Sequence, residues 1–136
     1  MLPAWASGYI GLPYSVGGRT REGVDCWGLY QMIFNEQSGR TIPSYDGPVW
    51  GAEGTTGRDI GKACTAFAER FVPVLPGQEQ VFDGIIIRLS GHPMHVGMVV
   101  DDGQMIHSIR GADSCVERYR PSMMWENRIV GFYRHV

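Results

Sequence analysis

A cysteine, two histidines and a tyrosine are the residues of this sequence whose types and spacing can do covalent chemistry. Cys26 stands in VDCWGLYQMIF, directly after Asp25 and at the head of an apolar run. Thiolate is the nucleophilic form of cysteine, and the free N–H groups of a helix N-terminus favour it. The same N–H groups can hold the oxyanion of a tetrahedral intermediate. Position alone equally fits a plainer role, since free cysteine is often one more small buried hydrophobe. A base within reach separates the two readings. His95, in MHVGMVV, and His107, in GQMIHS, are the candidates, because imidazole accepts a proton near neutrality. Tyr14 lies in GLPYSVGG, upstream of the cysteine. Its phenol can reach a thiol or an oxyanion from there, although packing at a domain edge explains it as well.

Pairing parity constrains the two histidines. The segments His95 to Val100 and Gln104 to Ile109 flank Asp101-Asp102-Gly103 and read as a hairpin. A loop of Asp102-Gly103 alone puts His95 and His107 on opposite faces of the sheet. A loop that includes Asp101 puts Gly97 across from His107 and both histidines on one face. Gly103 can take the left-handed position such a loop needs. His107 can then fix the tautomer of His95, which gives a nucleophile, a base and an orienter.

Other residues compete for roles. His92-x-x-His95, with His107 and a cysteine, has metal-ligand residue types. Its spacing matches no familiar zinc pattern and His92 precedes Pro93 in a Gly-Pro loop, so no metal is expected. His135 reads as surface, and Cys64 and Cys115 as packing residues. Three cysteines cannot all pair, and no disulfide framework is expected.

The elements that position these groups follow from periodicity. A short helix is expected around Pro3 to Tyr9. Asp25 is a good N-cap for a helix whose apolar face is Cys26, Leu29, Tyr30, Ile33 and Phe34, and Gly39 closes it. Arg40 to Thr56 reads as an extended loop, and a second helix is expected from about Arg58 to Phe71. Strands follow at Phe82 to Leu89, along both arms of the hairpin, at Cys115 to Tyr119 and at Ile129 to Arg134. Helices first and antiparallel strands after them make an α+β chain. Its 136 residues fit a single domain, 1–136.

A net charge of −2 gives no electrostatic case for nucleic acid or an anionic membrane. No apolar run is long enough to span a bilayer. The N-terminus MLPAWASGYIGLPY has neither a basic nor a long apolar region, so no signal peptide is expected.

GLPYSVGG, GVDCWGL and HVGMVVDDGQMIHS, in that order, resemble the NlpC family of cell-wall cysteine peptidases, and NRIVGFYRHV resembles the family's last strand. The resemblance implies a papain-like fold, with N-terminal helices packed on an antiparallel β-sheet. It implies Cys26 as nucleophile, His95 as general base and then acid, and His107 as its orienter. Tyr14 would help shape the oxyanion site. Asp25 and Trp27 would border the substrate cleft, and no cofactor is implied. The substrates would be peptidoglycan stem peptides, often cut between D-glutamate and a diamino acid.

Two departures stand out. Trp27 replaces the family's usual Ser after the cysteine, and Asp83-Gly84 replaces its Gly-Asp. DCWGL resembles the phage-tail and gene-transfer-agent members. Together with the unlabelled N-terminus, it implies a virion enzyme, synthesised in the host cytoplasm, with tail-tip or hub proteins as partners. Trp27 is then either a wall of the cleft or a contact with the rest of a tail. A structural tail-assembly protein that keeps the fold, with Trp27 and the Arg40 to Gln80 segment as its interface, or a related amidase or acyltransferase, are the alternatives.

Overall fold

The computed structural model describes residues 1–42, 70–89 and 92–135, with the backbone alone at 92–94. Cys64, most of the loop expected over Arg40 to Thr56 and almost all of the helix expected over Arg58 to Phe71 lie outside the described residues.

The central helix begins and ends on local chemistry. In α1 (Cys26–Gln37), the Asp25 carboxylate accepts from the Gly28 N–H at 2.7 Å. A cap of this kind contributes about 1 kcal/mol. At the other end Ser38 caps the helix, its Oγ donating to the Phe34 carbonyl, and Gly39 leaves the helix with φ at +78°. A left-handed residue there is what glycine supplies without a Cβ clash. Leu29, Tyr30, Ile33 and Phe34 turn inward, as their spacing predicts. The short helix before it, Ala4–Tyr9, is of the 3₁₀ type.

Two short strands, β1 (Arg19–Thr20) and β2 (Gly23–Val24), pair just ahead of α1. The main sheet is built from β3 (Val72–Val74), β4 (Gly84–Leu89), β5 (His92–Asp101), β6 (Gln104–His107), β7 (Cys115–Arg118) and β8 (Ile129–Arg134). Its order is β3-β8-β4-β5-β6-β7, and every pairing is antiparallel. The expected α+β architecture, a helix on an antiparallel sheet, is what forms. His92 belongs to β5 rather than to a loop, because its backbone pairs with Leu89.

Strand alternation divides the core in two. Ile86, Val96, Met98, Val100 and Ile106 meet α1 on one face. Ile85, Ile87, Val99 and Met105 face the other way and are covered by Tyr119, Trp125 and Phe132. The run Ile85-Ile86-Ile87 thus serves both layers, each side chain contributing about 1.5–3 kcal/mol by its burial. Among the described residues no helix is long and apolar enough to cross a membrane.

The hairpin reaches the expected register by a different route. Asp101 pairs with Gln104, so the turn proper is Asp102-Gly103, with φ at +71° on Gly103. Val100 is the extra residue, between the pairs Val99↔Met105 and Asp101↔Gln104. One bulged residue reverses the parity that a tight turn imposes. His95 and His107 therefore share a face.

Candidate active site

The histidine pair is the best-defined part of the site. His95 Nε2 lies 2.8 Å from His107 Nδ1, and His107 Nε2 lies 2.5 Å from Oε2 of Glu117 on β7. Trp125 borders both rings, near-parallel to His95 and edge-on to His107. Gly97 keeps the pair together. A Cβ there would stand 3.0 Å from Met105 Sδ and 3.6 Å from His107 Cβ.

Hydrogen-bond direction fixes the tautomers. Glu117 as a carboxylate only accepts, so Nε2 of His107 carries the hydrogen. Burial holds His107 below the ordinary imidazole range, although Glu117 pulls it upward, so the ring is neutral. Its Nδ1 is then an acceptor, and His95 must donate from Nε2. The lone pair on His95 Nδ1 is left open. Burial, then the neighbouring His107, lowers His95 to about 3, so it too is neutral at pH 7.

Cys26 sits at the head of α1, buried, with backbone N–H groups of Val96 and Trp27 hydrogen-bonding its sulfur. Val96 is the next residue after His95, so the helix end meets β5 beside His95. No hydrogen bond joins the thiol to the His95 ring. That ring is turned toward His107 and Trp125 instead.

The expected activation of the thiol by the helix end is corrected here. The thiol is pushed up to about 12, by burial first and by the Asp25 carboxylate second. The N–H groups of Val96 and Trp27 and the Arg19 cation pull the other way and are outweighed. Desolvation of a sulfur anion costs more here than two backbone donors return. The free protein therefore holds a neutral thiol beside a neutral imidazole, not an ion pair.

Asp25 is fully buried. Its Oδ1 accepts from Gly28 and, at 2.7 Å, from Arg19, while Oδ2 has no partner among the described residues. It starts the helix and at the same time disfavours the thiolate next to it.

Tyr14 is held close by backbone pairing. A parallel bridge joins Tyr14 to Val24, with Val24 donating to the Pro13 carbonyl and Ser15 to that of Val24. The phenol lies near the Cys26 sulfur and the Asp25 carboxylate and accepts from Arg110. Burial and those two groups raise its pKa. Tyr14 thus lies within electrostatic range of the thiol.

Trp27 is 2% exposed, stacked on Tyr30 at 5.3 Å and edge-on to Phe71 at 6.4 Å. It is a core residue with no surface for a tail partner, because position 27 turns inward at the first turn of α1. His135 is also half-buried, its ring edge-on to Phe34 and Phe71, rather than on the surface. Cys115 is not a packed core residue either. It is half-buried at the sheet margin, with its side chain hydrogen-bonded to Glu117.

Glu117 was not among the sequence candidates. The signal for it was present: alternation along Cys115 to Tyr119 puts Cys115 and Glu117 on one face, and Cys115 pairs with His107.

Known proteins resemble this chain in sequence and in fold. The model of the NlpC/P60 family matches residues 11–134. The murein DD-endopeptidase MepS/murein LD-carboxypeptidase of Escherichia coli (strain K12) is 26% identical over 100 residues, 72% of this chain and 43% of that protein. The gamma-DL-glutamyl hydrolase of Bacillus subtilis (strain 168) is 26% identical over 132 residues, 95% of this chain and 27% of its own length. The chain thus spans less than half of either relative. Among solved structures, an NlpC/P60 family protein from Bacillus cereus ATCC 10987 superposes with a TM-score of 0.68 at 25% identity, over 99% of this chain and 41% of that one. The NlpC/p60 domain of the peptidoglycan hydrolase SagA gives 0.62 at 22% identity, over 98% of this chain and 94% of that one.

Proposed function

The chain belongs to the NlpC/P60 family, and from that premise we propose that it is a cysteine peptidase that hydrolyses an amide bond in peptidoglycan stem peptides. The observation that carries the reading is the chain of hydrogen bonds Glu117–His107–His95, which leaves His95 Nδ1 open on the strand that receives Cys26. The name of one relative, a murein endopeptidase, supports a wall-peptide amide as substrate, and that of the other, a gamma-DL-glutamyl hydrolase, supports hydrolysis at a glutamyl group.

The charge states set the mechanism. Burial raises the thiol to about 12 and lowers the imidazole to about 3, and both shifts disfavour a resting ion pair. The thiol proton passes to His95 Nδ1 as sulfur attacks the carbonyl, in one general-base step. His107 and Glu117 hold the positive charge that appears on His95. The oxyanion meets the Cys26 backbone N–H and the Tyr14 phenol. His95 then protonates the leaving amine, a thioester remains on Cys26, and water attacks it with His95 again as base. Purified protein incubated with defined muropeptides should release new amino termini at one bond. Release of a transfer product instead would favour an acyltransferase, and no product from any wall peptide would remove the proposal.

The finer reading is a phage-tail enzyme, partnered by tail-tip or hub proteins, that opens the wall during genome delivery. DCWGL supports it by its resemblance to tail and gene-transfer-agent members. Mass spectrometry of purified particles should then find the chain in the tail fraction, and its absence there would end this part of the reading. The alternative of a purely structural tail protein would dock through Trp27 or the Arg40 to Gln80 segment; the Trp27 ring is buried, and most of that segment lies outside the described residues.

A further inference from the structure

We propose that His107, Cys115 and Glu117 form a binding site for a zinc-class divalent metal, and that its occupancy withdraws the base from His95. The register brings the three together. Cys115 on β7 lies across from His107 on β6, and Glu117 follows two residues later on the same face. One ligand atom from each falls within a sphere of mutual distances under 4.8 Å. An imidazole nitrogen, a thiolate and a carboxylate are a donor set that zinc takes, with a fourth position left for water.

The site is reachable and adjustable. The Glu117 side chain is 38% exposed and Cys115 is half-buried, so an ion can approach from solvent without unfolding the sheet. A tetrahedral zinc holds such ligand atoms about 3.2–3.7 Å apart. The 2.5 Å contact between Glu117 and His107 must therefore open, which rotation of the exposed carboxylate allows. Cys115 gives up one proton to solvent on binding, as thiol ligands do.

The consequence for His95 follows from the hydrogen-bond chain. Without metal, Glu117 accepts from His107 Nε2, His107 Nδ1 accepts from His95 Nε2, and His95 Nδ1 is open. A metal on His107 Nε2 requires the ring hydrogen on Nδ1. His107 then donates to His95 Nε2, and the hydrogen of His95 moves to Nδ1. Neither ring gains or loses a proton overall. The lone pair that takes the thiol proton is gone. This inhibitory consequence rests on the peptidase reading, whereas the metal binding does not.

Cobalt(II) titrated into the full chain, under a phosphine reductant, tests the site directly. One equivalent should produce a thiolate-to-cobalt charge-transfer absorption, which Cys115→Ser removes and Cys64→Ser leaves. Nitrogen-15 spectra of the histidines should show the His107 hydrogen on Nε2 in the apo protein and on Nδ1 with zinc. In the muropeptide assay, stoichiometric zinc should slow the parent protein by about tenfold or more. Cys115→Ser should keep the metal-free rate and lose that sensitivity. Absence of the absorption in the parent protein, or its persistence in Cys115→Ser, overturns the site. Metal binding by a chain that cuts no muropeptide leaves the site standing and refutes the peptidase reading instead.

Discussion

Cys26→Ala releases no new amino termini from peptidoglycan, with the rate down by a factor of about 10⁴ or more, while the fold is kept. The size follows from the role. Without sulfur no acyl-enzyme forms, and the histidine chain has nothing to deprotonate. The fold survives because the change is small in volume. Cys26 is one member of a cluster that also holds Leu29, Tyr30, Ile33 and Phe34, and loss of one buried sulfur costs on the order of 1 kcal/mol. The cap on α1 is made by Asp25 and is untouched. Circular dichroism and the melting temperature check the fold, and amine release from defined muropeptides checks the activity. Activity equal to the parent protein would remove Cys26 as nucleophile.

His95→Gln lowers kcat about 10²–10⁴-fold and, at the same time, makes the protein less sensitive to acid. The first effect is loss of the base. The second follows from linkage. His95 is depressed in the fold to about 3, against an ordinary value near 6.5. Its contribution to stability is therefore fully present above the unfolded value. It is lost as pH falls from about 6.5 toward about 3, because the unfolded chain binds a proton that the fold refuses. At pH 4 the loss is on the order of 3 kcal/mol for the parent protein. Denaturant midpoints measured between pH 7 and pH 4 should fall less steeply in His95→Gln. Glu117→Ala separates positioning from base chemistry. It should lower kcat about 10–100-fold with KM little changed, and Glu117→Gln, whose amide oxygen still accepts from His107, should recover much of the loss. An unchanged kcat in Glu117→Ala would remove the carboxylate from the chain.

Local signals were enough for the elements that carry the site. Asp25 and Gly39 mark the ends of α1, and β8 spans the residues that alternation assigns to it. Two-residue strands such as β1 and β2 carry no period to detect. β3 contains Pro73, which sequence rules confine to an edge, and among the described residues it is an edge strand, pairing with β8 alone. The shared face of His95 and His107 was legible from parity, but the bulge at Val100 that achieves it was not. The protonation of Cys26 was illegible for a different reason. A helix end acts within one turn and can be read from Asp25-Cys26. Burial depends on how Val96 and the sheet close over the thiol, and those contacts come from a distant part of the chain. Trp27 misled in the same way. A departure from the family's usual residue suggested a surface role, and the ring instead fills space beside Tyr30 and Phe71.

The central claim is that Cys26 attacks the substrate with His95 as its base, and an acid-quenched reaction tests it most directly. A muropeptide with a slow leaving amine, stopped within the first turnover, is digested and mapped by mass spectrometry. The account predicts an acyl group, of the mass of the stem-peptide fragment on the carbonyl side of the cut, attached to the peptide that contains Cys26. The adduct should be absent in Cys26→Ala and accumulate more slowly in His95→Gln. Product formation with the acyl group on Cys64 or Cys115, or with none on any cysteine under conditions that preserve thioesters, would contradict it.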